Sequence, residues 1–274
     1  MKVKIPKSFK RFLNRTGFNR LLHYAVFRIK GASSTDYRGV RLTFPSNTEY
    51  GQQLLRGDYN EDKVISFIAE RISNADGLFL DIGANLGVFS LTLGRLTGIR
   101  ALAFEPEPLN FLYLKNNIAR NPEVRAEAIN VACGKSDGGV LDFTVPFQTN
   151  RGVPFVGRYE NPPLFTWELQ VAERSIDSLL LENGNPPVSC FKIDVESYEE
   201  NVLLGMLATL DRNPNLCGLV ELHPHFRPVD CRAIHSLLKD RGFEIHELTR
   251  DGVQLPEPEP RITEGYAIWV SKTA

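Results

Sequence analysis

The stretch Phe79-Leu80-Asp81-Ile82-Gly83-Ala84-Asn85-Leu86-Gly87 decides how this chain folds. Residues 78–80 are apolar and end in Asp81, which reads as a buried strand closing on an acid. Residues 88–96 read as a helix. Between them Gly83 permits a tight turn, and Gly87 lets a ligand approach the helix N-terminus closely. Strand, glycine loop and helix in that order open a βαβ unit.

The same alternation continues downstream. Residues 99–104 form a second strand that ends in Glu105, and 106–120 a helix with Leu109, Leu112 and Ile118 on its buried side. Residues 126–133 give a third strand. A fourth, 188–193, ends in Asp194 and leads into a helix from about 198 to 210. Residues 216–222 are the fifth strand, and 229–241 a helix stopped by Gly242. The runs 243–248 and 266–270 are joined by a Pro/Glu-rich stretch without helical periodicity, which predicts an antiparallel pair. Strands alternating with helices predict a mostly parallel sheet covered on both faces. The expected architecture is a seven-stranded α/β sheet with one reversed strand.

Upstream, residues 37–57 read as short strands and turns punctuated by Gly39, Pro45, Gly51 and Gly57. Asn60 reads as an N-cap ahead of Glu61 and Asp62, with Val64, Phe67, Ile68 and Ile72 on one helical face. Residues 139–175, rich in Phe, Pro, Gly and Thr, fit no βαβ unit. They are expected as an insertion with part of its length over the active site, the plainer reading being an edge hairpin. The predicted division is 1–60, a basic extension with short strands, and 61–274, the main domain.

The loop after the first strand also limits the ligand. Dinucleotide folds carry G-x-G-x-x-G, whose second glycine admits the pyrophosphate. Here that position is Asn85, so the dinucleotide pattern is absent. A ligand with a charged amino-acid end and no phosphate fits better, with Asp81 and nearby backbone groups holding that end. Glu105 follows Asp81 by 24 residues, and a strand-end acid there can accept two hydrogen bonds from a ribose diol.

With these residues in place the chain resembles the FkbM-type methyltransferases, a branch of the seven-stranded enzymes that use S-adenosylmethionine. The resemblance covers roughly residues 55–270. It rests on the 79–87 stretch, Phe104-Glu-Pro-Glu-Pro108, Asn130-Val-Ala-Cys-Gly134, Ser175-Ile-Asp-Ser-Leu179 and Phe191-Lys-Ile-Asp-Val-Glu-Ser-Tyr-Glu199. It implies a Rossmann-like class I methyltransferase fold with an N-terminal helical and strand extension. The cofactor it implies is S-adenosyl-L-methionine, held by Asp81, Gly83, Asn85, Gly87 and Glu105. The adenine is placed near Asn130, Ala132 and Cys133, with Ser136 and Asp137 in the following loop. The family usually has Gly where this chain has Ser197, a change read here as helix-start tolerance because Ser is a good N-cap.

The acceptor side follows from sheet logic, since ligands bind beyond the carboxyl ends of the strands at the switch in strand order. An alcohol acceptor must lose a proton, which calls for a base or a metal. Asp194 is the first candidate for that role, Glu196 the second and His223 the third. Asp194, Glu221 and His223 are also donors of the kind that bind a divalent ion. Nothing in their spacing is specific for one, and no metal is predicted. Lys192, on an apolar strand, reads either as the partner of a site carboxylate or as reaching the sheet edge.

The composition bounds the remaining readings. The 274 residues are 42% apolar and 24% charged, as in an ordinary globular protein. No apolar run reaches the roughly 18 residues that span a bilayer, and charges interrupt every candidate secretory signal. Cys133, Cys190, Cys217 and Cys231 show no C-x-x-C spacing and read as buried reduced thiols of a cytoplasmic protein. Residues 1–30 carry nine Lys or Arg and no acid, so the rest of the chain is net −10. The favoured reading of that segment is a helix packing its aromatics on the main domain, the second a peripheral contact with an anionic membrane. The acidic remainder argues against nucleic acid. The expected activity is O-methylation of a small molecule or glycan. No Asn/Asp-Pro-Pro-Tyr/Phe stands at 192–195, as N-methylation of an aromatic system would require. The alternative is a non-catalytic cofactor-binding scaffold that partners glycan-synthesis enzymes.

Overall fold

The computed structural model describes residues 32–46, 48–72, 76–146, 155–157, 166–224, 229–261 and 263–272. Residues 1–30, with both readings of their charge, lie outside that set, as does His225. No helix among the described residues is long and apolar enough to cross a membrane.

A hairpin of β1 (Ala32–Tyr37) and β2 (Val40–Pro45) comes first, followed by α1 (Glu49–Arg56) and α2 (Asp62–Arg71). Two expectations change here. Residues 49–56 are helical where turns were expected. Thr48 accepts from Gly51 N at 3.0 Å to cap the helix, and Gly57 ends it in the left-handed region at φ 72°. Gly51 is no turn residue, because a Cβ there would sit 2.6 Å from Pro45 O. In α2 the N-cap is Glu61 rather than Asn60, with no side-chain cap bond.

The main sheet is built from β3 (Leu78–Ile82), α3 (Val88–Thr97), β4 (Arg100–Phe104), α4 (Pro108–Arg120) and β5 (Ala126–Ile129). The expected third strand is in fact two. After Ile129 the chain leaves the main sheet, and β6 (Ala132–Cys133) pairs with β9 (Thr166–Arg174). That second sheet also holds β7 (Gly139–Pro146) and β8 (Phe155–Val156), so the insertion is an antiparallel hairpin layer. On α4 the buried residues are Tyr113, Leu114 and Asn117, whereas Leu112, expected inside, is 58% exposed.

From α5 (Ile176–Glu182) the chain enters β10 (Val188–Ile193), then α6 (Glu199–Leu204) and α7 (Leu207–Arg212). The single helix expected there breaks at Gly205, which packs so closely on Gly134 O that no Cβ fits. Asp177 restarts it by accepting from Ala208 N at 2.9 Å and Thr209 N at 2.8 Å. The chain closes with β11 (Cys217–Leu222), α8 (Cys231–Lys239), β12 (Phe243–Leu248), β13 (Gln254–Leu255) and β14 (Tyr266–Lys272).

The sheet order is β13-β12-β14-β11-β10-β3-β4-β5. The pairs from β11 to β5 are parallel, and β14 runs against both its neighbours. The seven expected strands with one reversed are present, extended by the two-residue edge β13.

Alternating side chains feed two cores, as the period of a strand requires. Leu78, Leu80 and Ile82 face one with Phe191, Ile193 and Val220. Phe79, Cys190 and Trp269 face the other, and Val40, Leu42, Phe44, Ile65 and Phe67 belong to that same core. The N-terminal hairpin is therefore packed into the main body. Two α4 side chains bind its edge as a neighbouring strand would. Asn117 accepts from Thr43 N at 2.8 Å and donates to Thr43 O at 3.1 Å. Asn121 does the same for Arg41, at 2.8 and 3.0 Å. All four cysteines are buried and free.

Candidate active site

Three strand ends build the site. After β3 the loop holds Gly83, Asn85 and Gly87 at φ 81°, 51° and 85°. Asp81, 1% exposed, accepts at Oδ2 from Ser90 N (3.0 Å) and Ser90 Oγ (2.5 Å), which fixes the start of α3. Its Oδ1 is buried without a hydrogen-bond partner among the described residues. Gly87, expected to admit a ligand, also makes room for α4: a Cβ there would lie 2.5 Å from Leu114 Cδ1.

Glu105, at the end of β4, accepts from Asn85 N and from Glu107 N, both at 2.8 Å. These bonds aim the carboxylate and leave each oxygen one further lone pair. Burial pushes its pKa up to about 8, with the Glu107 charge adding to the rise.

A cleft opens beside it, lined among others by Gly83, Asn85, Glu105, Ala132, Cys133, Asp194 and Glu196. Phe143 and Val156 close one wall, so the 139–175 insertion does reach the cleft. Asn130 is not in the lining. Its amide donates to Glu105 O at 2.7 Å and Pro106 O at 3.2 Å, tying two strand ends together. Asp137 also turns away, accepting from Ser175 N, Ser175 Oγ and Ser178 Oγ.

Beyond β10 the loop 194–198 carries the acids. Lys192 Nζ lies 2.8 Å from Asp194 Oδ2 and 4.0 Å from Glu221, and 4.9 Å from the Phe89 ring centre. Of its two readings, the carboxylate partner is the one observed. Burial works against its charge, but Asp194, Glu221, Asp81 and Glu61 outweigh that and keep it an ammonium. Burial raises Asp194 as well, yet Lys192 and His223 bring its carboxyl below the ordinary value. Glu196 is pushed up to about 8 by burial and by the charge of Asp194.

Ser197 is not an N-cap. It stands at φ 74°, next to Glu196 at φ 54°, and Tyr198 caps α6. A left-handed backbone suits the Gly that the family usually has here. Ser197 Oγ donates to His223 O, and Ser197 N to Glu199 Oε1 at 3.0 Å.

His223 sits behind the two acids, not in the cleft lining. Its Nε2 is 3.9 Å from Glu196 Oε2 and its Nδ1 3.3 Å from Glu199 Oε1. Burial lowers its pKa, but Glu199, Asp194 and Glu196 together raise it to about 10.

Several residues here escaped the sequence reading. Glu199 lay inside the quoted 191–199 motif, so its position was available but its role was not. Glu61, read as a first-turn acid, takes a hydrogen bond from Tyr59 OH and feels the charges of Lys192 and Asp194. Only the packing of α2 on the sheet brings it there.

S-adenosylmethionine fits these groups. Glu105 has acceptor capacity in the cleft, and the wall of Ala132, Cys133 and Phe143 is largely apolar, whereas Asp81, its Oδ1 without a hydrogen-bond partner among the described residues, lies buried outside the lining.

No curated protein matches the chain in sequence. Among solved structures it is similar to magnesium protoporphyrin IX methyltransferase from Synechocystis PCC 6803 with bound S-adenosylmethionine (10% identity, 100% of each chain, TM-score 0.47). It is also similar to a TehB-like S-adenosylmethionine-dependent methyltransferase from Corynebacterium glutamicum (11% identity, 81% of this chain and 94% of that one, TM-score 0.45). A third is an S-adenosylmethionine-dependent methyltransferase from Aquifex aeolicus (10% identity, 76% and 89%, TM-score 0.42). The family model of the methyltransferase FkbM domain matches residues 81–245, which take in Asp81, Glu105, Asp194, Glu196 and His223. The chain belongs to the FkbM methyltransferase family and is an S-adenosylmethionine-dependent methyltransferase.

Proposed function

We propose that this enzyme methylates a hydroxyl oxygen of a small molecule or glycan. The observation that carries the reading is Glu196, which lines the same cleft as Glu105. It has a buried oxygen without a hydrogen-bond partner among the described residues and a pKa pushed up to about 8. A base with a pKa near the working pH takes a hydroxyl proton best.

The bound cofactor supplies an electrophilic methyl group on a sulfonium. Glu105 orients the ribose through its two oxygens, and Asp81, bonded to Ser90, fixes the start of α3 behind the cofactor loop. Asp194 and Glu196 receive the acceptor from the side of β10. As the oxygen–carbon bond forms, the carbon–sulfur bond breaks and a neutral thioether leaves. The hydroxyl proton passes to Glu196. Alignment of the two reactants supplies much of the rate.

Calorimetric titration with S-adenosylmethionine and S-adenosylhomocysteine, with NAD as control and Glu105→Ala as variant, tests the cofactor half. Transfer of a labelled methyl group to sugars and phenols, set against matched amines, tests the acceptor half. Label recovered as a base-stable ether, with kcat lowered in Glu196→Gln and KM little changed, supports the reading. Label only on amines sinks it.

A further inference from the structure

The loop after β10 and the end of β11 bring together donors that are 29 residues apart in sequence. One carboxylate oxygen of Asp194, one of Glu196 and one ring nitrogen of His223 all lie within 4.8 Å of one another. Donors held 2.0–2.4 Å from a common ion stand at most about 4.8 Å apart. The separation is therefore that of ligands around one ion.

Further features distinguish this group from a chance gathering of acids. His223 is gripped from behind, with Glu199 Oε1 3.3 Å from its Nδ1 and Nε2 turned toward Glu196. Glu199 is 0% exposed, and its Oε2 has no hydrogen-bond partner among the described residues. Metal-bound histidines are commonly held in this way, one ring nitrogen on a carboxylate and the other on the ion. Glu196 Oε2 is itself buried with no hydrogen-bond partner among the described residues. Lys192 occupies Asp194 Oδ2 at 2.8 Å, which leaves the other oxygen of Asp194 for an ion. Charge points the same way: the Lys192 ammonium faces Asp194 and Glu221, and His223, which binds an ion as the neutral imidazole, faces Glu196 and Glu199, so carboxylates outnumber the fixed positive charge.

We propose that Asp194, Glu196 and His223 bind one divalent cation at the edge of the cleft, with Glu199 as the residue that positions His223. Two carboxylates and one imidazole suit Mn²⁺ or Mg²⁺, with waters completing the shell. The spacing of these residues in the sequence predicted no metal; the assignment arises from their tertiary arrangement. The ion and the proton are alternatives on Glu196: when the ion is bound it polarises the oxygen of a hydroxyl acceptor in place of the base proposed above, and binding of the cation does not depend on that reading.

The test uses the full chain titrated with Mn²⁺, followed by electron paramagnetic resonance and calorimetry, with S-adenosylhomocysteine binding measured on the same samples. One Mn²⁺ per chain is expected, with an electron spin-echo coupling to an imidazole nitrogen. Glu196→Gln and His223→Gln are each expected to weaken it at least tenfold, and Glu199→Gln about 10- to 100-fold, as removal of a supporting carboxylate does elsewhere. No saturable Mn²⁺ binding to the wild type, or binding without nitrogen coupling, overturns the proposal and needs no variant. Retained S-adenosylhomocysteine binding in that case leaves the cofactor reading standing. Loss of it in the wild type fells the cofactor reading separately.

Discussion

Gly83 lies directly against the carbonyl of Asp194: a Cβ built at Gly83 would fall inside the van der Waals envelope of that oxygen. Asp194 N in turn donates to Ile82 O at 3.0 Å. The cofactor loop after β3 and the acid loop after β10 are thus one locked unit. Gly83 also holds φ 81°, where a side chain costs about 1–2 kcal/mol before any clash.

Gly83→Ala therefore damages both halves of the site. Stability is expected to fall by at least about 2 kcal/mol, and S-adenosylhomocysteine affinity with it. Urea midpoints and calorimetry measure the two. An unchanged midpoint would show that the loops are free to move apart.

Glu105 gives a pH signature with a defined sign. Its pKa, about 8 in the folded chain, lies above the ordinary carboxylate value of about 4.3. The folded state therefore holds a proton that the unfolded chain releases. The stability this contributes is full below about pH 4.3 and is lost as pH rises through 8. Glu196 acts in the same window. Urea midpoints of the cofactor-free enzyme should fall between pH 5 and 8, and fall less steeply in Glu105→Gln. Because ribose hydroxyls donate to the ionised form, cofactor affinity should rise across the same interval. Equal slopes for wild type and variant would remove Glu105 from the account.

Asn117 links the hairpin to the cofactor loop. It is 0% exposed, bonds Thr43 on one side and donates to Leu86 O at 3.0 Å on the other. Asn117→Leu leaves buried backbone groups without partners, at about 1–3 kcal/mol for each. Loss of roughly 3 kcal/mol in chemical unfolding is expected, along with weaker cofactor binding. Stability lost with cofactor affinity untouched would mean that Leu86 is held by other means.

Ser197 trades strain against a bond. Its left-handed backbone costs about 1 kcal/mol, and its hydroxyl bond to His223 O returns about 0.5–1.5 kcal/mol. Ser197→Gly should change stability by less than about 1 kcal/mol. Ser197→Val, β-branched at positive φ, should lower it by about 2 kcal/mol or more. Thermal unfolding of the pair decides whether the backbone or the hydroxyl matters more.

The parallel strands were legible in the sequence because each is a short, mainly apolar run: 78–80 is wholly apolar, and 188–193 is interrupted only by Ser189 and Lys192. Gly83 and Glu105 were legible as cleft residues because strand–loop–helix order puts a strand-end residue at the mouth of a sheet, whereas Asp81, inside β3, is buried away from the lining. The same reasoning failed where a contact outranked a local pattern. Gly205 broke a periodic helix for the sake of Gly134, and Ile129 ended a strand that runs on in the sequence. Gly51 read as a turn because nothing local shows that Pro45 O lies above it.

The sequence by itself determined the order of strands and helices, the glycine loop and the acid at each strand end, since these follow from hydrophobic periodicity and backbone freedom, which act over a few residues. Only the tertiary structure decided which acids share a cleft. It set Glu199 behind His223, brought Glu61 to Lys192 and turned Asn130 and Asp137 away, because burial and charge depend on neighbours that the chain supplies from far along its length.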